Sequence, residues 1–162
     1  MFGRVFGIIA IAMSFMGMYD RAEALVGIQC GAPINSVIRL EPVASSTSSV
    51  GFVNLVNVNI AVPAGTFRCI KVVFTAETLC QGPAAVADNC IIRALDNAIE
   101  MNPQGGGAQI LLSEDSTPNA HAYEWVSRVG GGNHNIQIQR RVTNAATIFT
   151  LDDWTFDVSI HN

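Results

Sequence analysis

Carboxylates crowd the C-terminal end of this sequence, where Asp152 and Asp153 are adjacent and Asp157 follows. Such groups are hard oxygen ligands of the kind Ca²⁺ selects. A structural calcium held by Asp152, Asp153 and Asp157 is therefore one expectation. The competing one is that they cap a turn and accept backbone hydrogen bonds before the last strand. Neighbouring residues of a strand point to opposite faces, so Asp152 and Asp153 can share an ion only where the backbone turns. Tyr123 and Trp125 share a strand face, which makes them the candidate ligand-binding platform for stacking a sugar ring. Core packing is the other use of such large rings. His121, Glu124 and Arg128 lie in the same stretch and His134 follows, so acid and base groups are at hand. Catalysis would also need a nucleophile or a metal, and the sequence has no Gly-x-Ser-x-Gly elbow, no His-Glu-x-x-His and no phosphate loop. Glu77, Glu100 and Glu124 are too scattered to single out a glycosidase pair. The expectation is a non-enzymatic protein.

Cys30, Cys69, Cys80 and Cys90 are the other residues with chemistry to do. An even count in an exported chain reads as disulfides, here two, with three connectivities open. We favour Cys80 with Cys90, which flank a loop containing Gly82 and Pro83, and hence Cys30 with Cys69. A zinc site would need closer ligand spacing than Cys-x-x-Cys-free cysteines and the scattered His121, His134 and His161 provide.

The case for export starts at the N-terminus. Arg4 precedes an uncharged run over residues 5–18, and Ala22-Glu23-Ala24 has the small-x-small form of a signal-peptidase site. We expect a cleaved signal peptide over residues 1–24 and a mature domain over residues 25–162. The apolar run is shorter than the roughly 20 residues a membrane-spanning helix requires, so a retained anchor and a buried core helix are the alternatives set against cleavage. Composition agrees with export. The chain is 49% hydrophobic and only 14% charged, against roughly 25% charged in ordinary globular proteins. Water-facing positions must then be filled by Ser, Thr, Asn, Gln and Gly, as in extracellular β proteins. A net charge of -4 and the lack of a basic cluster exclude nucleic acid as partner. Arg140 and Arg141, the one adjacent basic pair, point to opposite faces of a strand.

Such residues must be positioned by strands, because period-two alternation recurs along the mature chain. Residues 56–60 alternate Val, Asn, Val, Asn, Ile before a turn at Pro63-Ala64-Gly65. Residues 67–78, 90–95, 98–101, 109–112 and 120–129 follow as strands, broken by Asp96-Asn97, by the Gly-rich run 102–107 and by a polar loop over 113–119. Residues 45–49 (Ser-Ser-Thr-Ser-Ser) read as a mobile loop. The Gly130-Gly131-Gly132-Asn133 turn leads into a strand whose His134, Ile136, Ile138, Arg140 and Val142 face one way. Its other face carries Asn135, Gln137, Gln139 and Arg141. After a turn at residues 143–146 come strands over 147–151 and 154–161, with Trp154, Phe156, Val158 and Ile160 on one face. Eight to ten short strands without a long helix predict an all-β, two-sheet antiparallel sandwich.

The run from Val129 to Gln139 (Val-Gly-Gly-Gly-Asn-His-Asn-Ile-Gln-Ile-Gln), with residues 147–154 after it, resembles the C-terminal half of secreted bacterial jelly-roll proteins of unknown function. These are similar to the tumour-necrosis-factor and complement-C1q type of β-sandwich. Phe74-Thr75-Ala76-Glu77 and Ile99-Glu100-Met101-Asn102-Pro103 resemble earlier blocks of that group. The resemblance spans residues 67–160 and implies a jelly roll and a trimer, with no catalytic residues to transfer.

The functional expectation is a secreted structural or interaction protein that forms a homo-oligomer through a sheet face. Asn135, Gln137 and Gln139 are the candidate interface, since neutral amides are cheaper to desolvate than charges and hydrogen-bond across a contact. A carbohydrate-binding module with a structural calcium is the alternative, and a virion or extracellular filament subunit a further one.

Overall fold

The computed structural model describes residues 28–83, 89–103, 110–113 and 117–162. The expected leader, its cleavage site and residues 104–109 lie outside them. The described chain is all-β. Eight strands are present: β1 (Pro33–Glu41), β2 (Ser45–Thr47), β3 (Val53–Gln81), β4 (Asn89–Asp96), β5 (Ile99–Glu100), β6 (Ile110–Ser113), β7 (Asn119–Val142) and β8 (Ile148–His161). They form one antiparallel sheet in the order β1-β8-β3-β7-β4-β5, with β2 on β8 and β6 on β4.

Three of these strands are far longer than alternation alone suggests. Residues 120–129 and 134–142 are not two strands joined by a turn but one, β7, which runs through the glycines. Pro63-Ala64-Gly65 likewise lies inside β3, and Asp152-Asp153 inside β8. Val62 pairs with Gly132 and Phe67 with Gly130, so residues 63–66 of β3 stand against Gly131 alone. That mismatch is a large bulge, and bulges bend strands. Glycine is obligatory at position 131, because a Cβ there would meet the Pro63 carbonyl oxygen at 2.4 Å and the Ala64 Cα at 2.7 Å. The bulge also switches which parity of β7 faces inward: Tyr123, Trp125 and Val129 are buried before it, His134, Ile136, Ile138, Arg140 and Val142 after it.

The bend lets one sheet bury its own apolar face. A single core cluster gathers Val58, Ile60, Ile92, Ile136 and Ile138 from one half with Ile70, Val72, Phe74, Phe156 and Val158 from the other. Side chains also cross between the halves: the Arg140 guanidinium on β7 donates to the Ser45 carbonyl (2.7 Å) and hydroxyl (3.0 Å) on β2. Ser45–Thr47, expected to be a mobile loop, is thus a strand paired with Phe149 to Leu151. Its serines and threonine carry little hydrophobic signal, and pairing with β8 is what orders them. Two disulfides close the architecture, Cys30–Cys69 and Cys80–Cys90, with Cα–Cα distances of 5.6 and 5.9 Å.

Candidate functional site

The outward face of β3, β7 and β4 carries a hydrogen-bonded array of polar side chains. Strand alternation puts Asn54, Asn57 and Asn59 outward on β3, and Asn135, Gln137, Gln139 and Arg141 outward on β7. Register then sets them in rungs: Gln139 faces Asn54 on one side and Arg93 of β4 on the other, and Asn135 faces Asn59. The rungs are hydrogen-bonded. The Gln139 amide donates to Asn54 Oδ1 (2.7 Å), Asn135 to Asn59 Oδ1 (2.6 Å) and Gln137 to Asn135 Oδ1 (2.5 Å). Asn97, just beyond β4, accepts from the Asn135 backbone N–H (2.9 Å) and donates to the Asn133 carbonyl (3.1 Å).

At one end of this ladder two guanidiniums meet. Arg93 donates through Nε and Nη2 to Gln139 Oε1 at 3.0 and 2.7 Å, and its Nη1 lies 3.7 Å from Glu100. Its guanidinium stacks 3.5 Å from the centre of the Phe52 ring, and that of Arg141 lies 4.9 Å from the same centre. Burial lowers the Arg93 pKa; Glu100 opposes that shift and the neighbouring Arg141 charge adds to it. Of these residues, sequence reading selected Asn135, Gln137 and Gln139 but missed Arg93, Arg141 and Phe52. Alternation already placed Arg141 beside Gln139, whereas bringing Arg93 alongside required the β4–β7 register. Asn135, Gln137 and Gln139 spend part of their hydrogen-bonding capacity on one another and on β3, which makes the face rigid.

The other candidates are dispersed. Trp125 is 1% exposed and Tyr123 is buried beside it, with ring centres 5.9 Å apart. Both rings lie in the core, the packing use weighed against a platform, because the inward parity of β7 before the bulge is theirs. The backbone does turn at Asp153, which has φ 43°, and its N–H donates to the Asp152 carboxylate at 2.9 Å. Asp157 stands farther along β8 between Ile38 and Val73. Among the described residues no group of three or more His, Cys, Asp or Glu side chains is gathered to hold a metal ion. His121 Nδ1 lies 2.7 Å from the Thr78 hydroxyl, and Glu124 pairs with Lys71 at 2.9 Å. His134 is buried between Asp96, whose two carboxylate oxygens are each 2.9 Å from Nδ1, and the Gly130 carbonyl, 3.0 Å from Nε2. The Gly130 carbonyl can only accept, so the Nε2 contact is one in which the ring donates. This triad ties β4 to the bend of β7.

No family model matches the chain, and no curated protein matches it. Among solved structures it is similar to dimeric latent PorU from Porphyromonas gingivalis, with a TM-score of 0.51 and 11% identity over 84% of this chain. The chain spans only 14% of that structure's length. At that identity the likeness speaks to the β fold alone.

Proposed function

We propose that this is an exported, non-enzymatic structural or interaction protein that self-associates, its bent sheet acting as a two-layer jelly-roll sandwich. The observation that carries the reading is strand β1. It pairs with β8 on one side, and among the described residues its other edge has no partner. Ile38 and Leu40 stand on one face of it, 56% and 72% exposed, and Ile34, at the irregularity near its start, is 49% exposed. A long edge with unused backbone groups and an apolar row is a template for another strand unless Lys, Pro or a covering loop blunts it. Here Pro33 blunts one end only. A second copy is the occupant we assign, through β1, because Asn135, Gln137 and Gln139 already spend part of their hydrogen-bonding capacity on Asn59, on Asn135, and on Asn54 and Arg93 respectively. Two disulfides support an oxidising compartment, extracellular or periplasmic. Among the described residues no helix is long and apolar enough to cross a membrane.

Light scattering on the purified protein at tens of micromolar tests this. A discrete oligomer is expected, and Ile38→Lys with Leu40→Lys should return it to a monomer with an unchanged far-UV spectrum. A monomer at that concentration, or a lysine variant of unchanged mass, overturns the reading.

A further inference from the structure

We infer that residues 56–62 of β3 are a second edge through which two copies of this chain meet, strand against strand and antiparallel, about a two-fold axis at Asn59. This pairing rests on the self-association proposed for β1, and it gives that assembly a closed, two-fold form. Along residues 53–62, β3 pairs with β7 on one side only, because β8 takes up its other side from Cys69 onward. Among the described residues that other side is unpaired over the whole run. The register with β7 skips Leu55, which leaves residues 56–62 as the regular part of the edge. Natural edges of this length are blunted by Lys, Pro or an inward-pointing charge. Residues 53–62 contain no Lys, Arg, Asp, Glu or Pro. The two free edges also share a flank of the molecule, since β1 lies outside β8, and β8 occupies the side of β3 away from β7. A cavity of about 400 Å³ joins them, lined by Glu41 at the end of β1, Val43, Ala44 and Ser45 after it, Leu55 of β3 and Trp154 of β8. One copy seated on that flank covers both edges.

The residue at the centre of the run favours a second copy as the occupant. In a two-fold interface the same patch meets itself, so the residue on the axis faces its own copy. A charged side chain there repels its mate, whereas an amide donates and accepts at once. Residue 59 is the midpoint of residues 56–62, and it is an exposed Asn. Its Oδ1 accepts from the Asn135 amide at 2.6 Å, which leaves one lone pair on that oxygen, and its NH₂ donates to no described residue. Both groups are the ones an identical amide across the axis requires. Each chain carries a net charge of -4, so contact between copies is least opposed where the strand is uncharged.

Light scattering on the full protein, with charge-swapped variants and a crosslinker, tests the inference. The parent should be a dimer at tens of micromolar and stay one as concentration rises. Asn59→Lys and Asn59→Glu should each raise the dimer dissociation constant at least tenfold, because like charges are set face to face. An equimolar mixture of the two should recover a dimer, less so as salt rises. Mixing does not repair a folding defect, so recovery reports the contact itself. The four cysteines of the parent are all in disulfides, and the Asn59→Cys protein should therefore be joined to its own copy by a short bismaleimide. A monomeric parent removes the self-association reading, and this pairing with it. A dimer that Ile38→Lys with Leu40→Lys dissolves, but that Asn59→Lys leaves intact and Asn59→Cys does not crosslink, keeps the β1 edge and overturns the β3 pairing alone. A mass that keeps growing with concentration marks an open chain of copies and likewise overturns it.

Discussion

Arg140 shows what one buried side chain imposes. It is 6% exposed, its guanidinium has Ser45 as partner and, among the described ion pairs, no carboxylate, and burial lowers its pKa to about 10. Unfolded arginine keeps its proton to a higher pH than that, so above about pH 10 the unfolded state binds more protons and stability rises with pH. Below pH 9 both states are protonated and the contribution is flat. Urea denaturation should therefore show a constant gap between the parent protein and Arg140→Met from pH 6 to 9, and a gap moving in favour of the parent above about pH 10. A gap that drifts across pH 6 to 9 would mean another group is responsible. Alternation in the sequence put Arg140 on the inward face with Ile138 and Val142, yet nothing local to it announced Ser45, which is supplied from the far side of the core. The same limit hid Arg93: its partners Gln139 and Glu100 come from separate strands.

At the scale of elements, the bulge opposite Gly131 sets the course of both long strands. Gly131→Ala would drive a methyl group into the Pro63 carbonyl and the Ala64 backbone. Backbone cannot swing aside as a side chain does, so we expect a loss of about 1–3 kcal/mol, read by chemical denaturation, whereas Gly51→Ala, with only the Ser49 hydroxyl at 3.8 Å, should be near neutral. The alternating runs of β3, β4, β7 and β8 were legible because each has one buried face, and the inward set Trp154, Phe156, Val158 and Ile160 is the set that is buried. Glycines and prolines were read as chain reversals because their backbone preferences fit a turn and a bulge equally. What separates the two is the partner strand, and local sequence does not contain it. β1 escaped notice for a related reason: an edge strand with both faces largely exposed has no strict alternation to read.

For the whole molecule, the two disulfides differ in the length of chain they close. Cys30–Cys69 spans 39 residues and Cys80–Cys90 spans 10. Closing the longer loop removes more freedom from the unfolded chain, so replacing Cys30 and Cys69 by serine should cost about 1 kcal/mol more than replacing Cys80 and Cys90, each loss falling in the range of about 2–5 kcal/mol. Equal losses, measured by denaturation of the two double variants, would point to native-state strain instead of chain entropy. The position of β1 also orders events in time. Its hydrogen-bonding partners are Trp154 to His161, and the Gly31 N–H meets the carbonyl of Asn162 at 2.7 Å. A nascent chain therefore carries β1, the first of the described strands, without this pairing until β8, the last of them, has been made. Pairings of such long sequence separation form slowly, so β1 is expected to join the sheet late.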